Sequence, residues 1–360
     1  MHACVTYSHV GDWYITEKPE PSLAAKIPFV FWQGHLQSFF MGLLFFLSGV
    51  FAEFSMKRRG PARFAQERLH RLGLPALFYM SLIHPFILFV LLRLPQTANR
   101  PPLASLYFKY LLSPRMLSGS GPLWFALALL VFCLVYAGWR TVFPEKQPDH
   151  PATAHAPGFP ALATFGSLLV VATFLVRLVE PIGTNFLNMQ LCFFPQYIAA
   201  FVAGICAGKS GWLETLSTSR RARIAGWLGL IGGPLLLATV IILGGPPPDN
   251  GPNPYAGGLN GQAFGLALWE QTAGLCLGLG MLALFRARFQ RATAAGTWLS
   301  DRSFAVYVLH PPVLIALTML LRPLNIGLYA HVASLTVLAI VGSFLAAEMA
   351  RRAPGLRSIL

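Results

Sequence analysis

Glu270 and His310 each stand inside long apolar runs, FGLALWEQTAGLCLGLGML and SFAVYVLHPPVLIAL. An ionisable group inserted into such a run costs about 2.5–3.5 kcal/mol in a membrane, so each is a candidate for chemistry. His35, His84 (followed by Pro85) and Glu348 belong to the same set, and Tyr307 lies one helical turn before His310. A neutral imidazole can accept a proton near neutral pH, and a carboxylate or phenol can orient a hydroxyl. The plain alternative for a lone His in an apolar helix is a neutral, hydrogen-bonded packing residue, and that is the reading for His84 and His331. Arg177 and Glu180, three apart at a helix end, read as a local ion pair.

A second constellation is Arg68-Leu69-His70-Arg71. Two Arg three apart share one face of an α-helix and can jointly hold phosphate oxygens through paired N–H donors. A loop that merely carries topology-setting charge would contain the same residues, and spacing alone does not separate the two readings.

The elements that must position these groups are membrane helices. The chain has 360 residues, 55% hydrophobic and only 11% charged, against about 25% charged in soluble domains. Nine stretches, 29–52, 71–93, 122–143, 160–180, 192–208, 222–244, 262–286, 303–321 and 329–350, approach the 20 or so apolar residues that a spanning helix needs. The fold class is therefore all-α, a polytopic transmembrane helix bundle read as a single membrane-embedded domain over residues 1–360. The 192–208 stretch is the shortest and contains Pro195, so a tilted or broken helix is expected there. No repeat of fixed period stands out.

The net charge of +14 invites a nucleic-acid reading. The cations instead cluster in short loops between apolar stretches, which is the positive-inside pattern. Lys57, Arg58, Arg59, Arg63, Arg68 and Arg71 fill the first such loop. Lys209 with Arg220, Arg221 and Arg223, and Arg286 with Arg288, Arg291 and Arg302, fill two more, and Arg351, Arg352 and Arg357 end the chain. These segments, and with them the C-terminus, are expected on the cytoplasmic side of the inner (plasma) membrane. The opposite segment Gly244–Gly261, rich in Gly and Pro, reads as a mobile loop without regular structure, a linker or a lid. Glu145–Pro160 reads as a connector. Of the five cysteines, Cys133, Cys206 and Cys276 fall in apolar stretches as small hydrophobes, and no C-x-x-C or other metal-ligand spacing is present. A Cys4–Cys192 disulfide is not favoured, and no cleavable signal peptide follows Met1.

Several segments together resemble the acyltransferase-3 family of integral-membrane acyltransferases. They are FFMGLLFFLSGVF (Phe39–Phe51), RFAQERLHRLGLP (Arg63–Pro75), GPLWFALALLVF (Gly121–Phe132), YIAAFVAGICAGKSGWL (Tyr197–Leu213) and SDRSFAVYVLHPPVL (Ser300–Leu314). They occur in the family's order and cover most of the chain. The resemblance implies a core of ten helices, of which nine are visible here and the first begins partway along. It implies Arg68 and Arg71 as contacts to acyl-CoA, and His2 in MHACVTYS as the catalytic base. The family's Arg ten residues before that His would precede Met1. The implied reaction moves an acyl group, acetyl being the family's commonest, from cytoplasmic acyl-CoA to a hydroxyl of a carbohydrate or similar acceptor, without a metal. His35, Glu270, Tyr307 and His310 are then candidates for orienting the acceptor. Besides acyl-CoA and the acceptor, the expected partner is the lipid bilayer and not nucleic acid. A secondary transporter with midplane His and Glu sites is the rival class. Against it stand the lack of internal two-fold symmetry and the R-x-x-R pair, which has no natural role in transport.

Overall fold

The computed structural model describes residues 22–94, 99–144, 156–248, 251–291, 293–324 and 326–353. Among these, ten helices are named here: α1 Leu23–Arg59, α2 Pro61–Leu91, α3 Leu103–Leu111, α4 Trp124–Val142, α5 Phe159–Arg177, α6 Phe194–Ser210, α7 Arg220–Gly244, α8 Gly261–Arg288, α9 Ala294–Leu321 and α10 Leu328–Arg352. All but α3 belong to spans long and apolar enough to cross a bilayer, and these match the nine expected stretches. No strand occurs among the described residues, only an isolated bridge between Phe186 and Met189. This protein is a multi-pass, all-α membrane protein.

Glycine and proline punctuate the helices. The expected loop at 57–71 is instead helix, a left-handed residue, then helix: Gly60 at φ +75° ends α1 and Pro61 opens α2. Pro195, expected to break its helix, sits in the first turn of α6, where its missing N–H costs nothing. Within α2 the helix widens into π turns at Leu69–Gly73, Tyr79–Ile83 and Ile87–Leu91. The first two end just before Pro75 and Pro85. Pro85 has no N–H, and His84 N already bonds Tyr79 O five residues back, so the carbonyls of Met80 and Ser81 that follow are short of a helix donor, and in lipid a freed carbonyl needs another one. Helix α3 supplies it: Tyr107 Oη donates to Ser81 O at 3.0 Å, and Tyr110 Oη to the neighbouring Met80 O at 3.1 Å.

The described residues divide into two compact units, those within 1–33, 67–130 and 292–360 in one and those within 34–66 and 131–291 in the other. In the first, α9 packs along α10, with Leu314, Leu321, Val332 and Leu335 forming a buried cluster around Phe29. In the second, helices meet at glycines. A Cβ on Gly49 would run into the carbonyl of Phe201, and Gly226 and Gly280 face one another backbone to backbone. Without a hydrophobic drive between helices in lipid, such close approach supplies the packing.

The segment between α7 and α8 corrects the expectation of a mobile loop. Its described residues form no helix or strand, yet Tyr255 is buried and its hydroxyl donates to Gly245 O at 2.6 Å. Ala256 O accepts from Ile182 N at 2.8 Å, and Gln262 Nε2 donates to Gly244 O at 3.2 Å. The segment is tied at both ends.

Candidate functional site

In the first unit, polar side chains gather around the turn Ser118–Pro122. Gly121 adopts φ +49° against the Tyr79 ring, and a Cβ on Gly119 would collide with Tyr110 Oη and His84. His84 and Tyr110 lie with ring centroids 5.8 Å apart. Helix α9 reaches the same turn, because Tyr307 Oη donates to Pro122 O. The π-widened α2, the short α3 and α9 therefore converge on one glycine-rich turn.

His310 follows from the same proline logic. Pro311 cannot donate to the carbonyl four residues back, which is that of Tyr307. The His310 ring takes that place, Nδ1 lying 2.8 Å from Tyr307 O. A carbonyl oxygen only accepts, so Nδ1 carries the hydrogen and Nε2 of the neutral ring carries the basic lone pair. Tyr307 and His310, paired in the sequence reading, are thus brought together by a hydrogen bond.

Arg68 ends the first α-helical stretch of α2, whereas Arg71 lies in the following π turn, where Leu74 N bonds Leu69 O. Residues three apart diverge further around this wider turn than on an α-helix, so the expected shared face is only partly kept. Arg68 is half-buried and Arg71 exposed. Both remain near the cation-rich end of the span, about two to three turns from Gly60. His2 lies outside the described residues, as do His9 and Cys4.

In the second unit, the buried polar groups follow a different plan. Arg177 on α5 is fully buried, and its partner is Glu270 on α8, not Glu180 as the spacing suggested. The ring of Phe193 lies 5.3 Å from its guanidinium carbon. In a medium without water, a guanidinium takes the carboxylate that a neighbouring helix presents rather than one it would share with solvent. His35 on α1 packs edge-on to Trp269, 5.2 Å between centroids, and Trp269 Nε1 donates to Gly233 O at 2.9 Å. Near the cation-rich end, fully buried Glu53 accepts from Tyr136 Oη, with Lys57 at 3.3 Å and Arg140 at 3.7 Å.

Two residues escaped the sequence reading. Gln196 and Gln271 are both buried. Gln196 Nε2 donates to Ser38 O at 2.7 Å, but its Oε1 and both amide atoms of Gln271 have no protein partner. Counting only ionisable groups in apolar stretches passed over them; uncharged amides in the same stretches were the available signal. No group of three or more His, Cys, Asp or Glu side chains arranged for a metal occurs among the described residues.

A family model described as Acyltransferase domain matches residues 3–348, a range that runs through both units. No curated protein and no solved structure matches the chain.

Proposed function

This chain belongs to the acyltransferase-3 family of integral-membrane acyltransferases, and we propose that it moves an acyl group, acetyl in the simplest case, from acyl-CoA to a hydroxyl of a carbohydrate or similar acceptor. The observation that carries this reading is the R-x-x-R pair at the cation-rich end of a membrane helix, within a chain that the family model spans almost throughout. In this reading Arg68 and Arg71 hold the CoA phosphates through charge-assisted hydrogen bonds. The cation-rich ends and the C-terminus face the cytoplasm, where acyl-CoA is made, and the membrane is the inner (plasma) membrane.

His2 is the proposed base. Its neutral ring takes the proton of the acceptor hydroxyl as that oxygen attacks the thioester carbonyl; the C–S bond then breaks and the CoA sulfur leaves as thiolate, to be protonated. Two groups suit the acceptor. The Nε2 lone pair of His310 is one, next to Tyr307. Glu270 is the other: Arg177 holds its Oε2, while Oε1 has no protein partner. His35 belongs to the same unit as Glu270.

The test is CoA release by the purified protein in the presence of hydroxyl acceptors, with acyl-CoA binding measured alongside. Arg68→Ala and Arg71→Ala should each weaken binding by about tenfold or more, since a hydrogen bond to a charged group is worth about 1.5–3 kcal/mol. His2→Ala should lower turnover by about 10²–10⁴-fold at unchanged donor affinity. Unchanged binding in the double Arg variant reduces that pair to topology charge, and a His2→Ala effect of only a few-fold removes His2 as the base.

A further inference from the structure

The second unit contains a cavity of about 270 Å3 between α1, α5, α6 and α8, walled by Phe39, Phe46, Phe165, Leu275, Leu279 and Trp212 among others. Its lining is almost wholly aliphatic and aromatic, except for Gln196 and Gln271. Along α8 the cavity runs from Gln271 to Leu282, eleven residues or about 16 Å of helix rise. It is therefore elongated, with hydrogen-bonding groups toward one end and hydrocarbon beyond.

The amides are the informative part. A buried polar atom without a partner costs about 1–3 kcal/mol, so amides left this way on residues that line a cavity are the groups a bound water or ligand there would satisfy. Gln271 Nε2 is a donor suited to a carbonyl oxygen. Gln271 Oε1 and Gln196 Oε1 can each accept from a hydroxyl or a water. Gln196 is held in place by its bond to Ser38 O, and Glu270, next to Gln271, by Arg177. A ligand with one carbonyl and a straight apolar chain satisfies both ends of the cavity. Acetyl leaves nearly all of it empty, and pantetheine, with two amides along its length, does not match the apolar walls.

We propose that this cavity is an acyl-chain site: it takes the aliphatic tail of a medium- or long-chain acyl thioester, with the acyl carbonyl at Gln271. The proposal rests on the acyl-transfer reading for the nature of the ligand and replaces acetyl, the simplest case there, with a longer group. The rival occupant is a bilayer phospholipid. A neighbouring cavity, which shares Pro157, Leu162, Trp212 and Leu279 with the first, carries Arg220 and Arg221. It could seat a lipid phosphate while a chain of the same lipid lay in the groove.

Gly278 provides the test, because it lines the cavity and a Cβ built on it meets nothing within 4 Å. The full chain in detergent is labelled with the N-acetylcysteamine thioester of dodecanoic acid bearing a diazirine at the chain end. This probe has no phosphate, so it does not depend on Arg68 or Arg71. Label should appear on α5 or α8 residues of the wall, and Gly278→Phe should lower it at least tenfold while leaving the protein folded by thermal unfolding. Leu279→Ala, which enlarges the cavity, should move the best-labelling chain to a longer one. Labelling elsewhere, or labelling that neither variant changes, overturns the proposal. So does competition by phosphatidylglycerol that is lost in the Arg220→Ala/Arg221→Ala variant, since that assigns the groove to the phospholipid. The donor reading stands or falls separately: it fails if acyl-CoA binds no more tightly than the phosphate-free thioester and the double Arg variant binds both alike.

Discussion

Arg177–Glu270 and Arg302–Glu348 are made of the same two groups and behave as different objects. The first joins α5 to α8 with both side chains withdrawn from solvent, 0% and 5% exposed. The second joins α9 to α10 at the cation-rich ends, at 2.7 Å, with Glu348 31% exposed and Arg352 also bound to it. Coulomb attraction weakens with dielectric, and so does the penalty for losing a partner. In the interior, breaking the pair strands a charge where no water can reach it; at the end, water and Arg352 replace whatever is lost. Ion-pair geometry alone therefore says little about stability. The surroundings decide it.

The comparison breaks most visibly at Arg177. Arg177→Ala leaves Glu270 buried and unpaired and should cost about 3–5 kcal/mol, read as a large fall in the unfolding midpoint in mixed detergent. Arg177→Met combined with Glu270→Leu removes both charges together and should recover most of that loss. A double variant as unstable as the single would show that the pair contributes net stability, not only a penalty avoided.

Glu53 gives an intermediate case. It is fully buried, but Tyr136, Lys57 and Arg140 share it. Tyr136→Phe deletes the hydrogen bond that Tyr136 donates to Glu53 and the one it accepts from Arg140, each to a charged group and worth about 1.5–3 kcal/mol, and the two cations remain to hold the carboxylate. The midpoint should fall less than for Arg177→Ala, and a larger fall would place Tyr136 as the main support of Glu53.

The smallest effect is expected at the exposed pair. Glu348→Gln should leave the unfolding midpoint within measurement error, and any residual difference should vanish on raising the salt concentration. A salt-independent loss would mean that the α9–α10 end is shielded from solvent.

Proline positions link these sites to the sequence. Pro85 and Pro311 are visible in the chain, and that each withholds an N–H from a carbonyl of the preceding turn follows from the pyrrolidine ring alone. Which donor answers does not follow. At Ser81 it is Tyr107 from α3, a helix the span count passed over; at Tyr307 it is the ring of His310 on the same helix. The R-x-x-R pair was likewise legible as two residues, while the π turn that separates their environments was not.

What the sequence determined by itself is the set of nine spans, the clustering of cations at one set of helix ends, and the family. Partition of some twenty apolar residues into lipid depends on composition along one stretch of chain, so no neighbour has to be known. The tertiary structure alone decided that Arg177 bonds Glu270, 93 residues away, that Tyr255 ties down the segment before α8, and that Gln196 and Gln271 line one apolar cavity. Those outcomes depend on which helix presents a complementary group across a water-free interface. A charge or amide in such an interior takes the partner that packing brings within about 3 Å, and proximity in the chain carries no weight there.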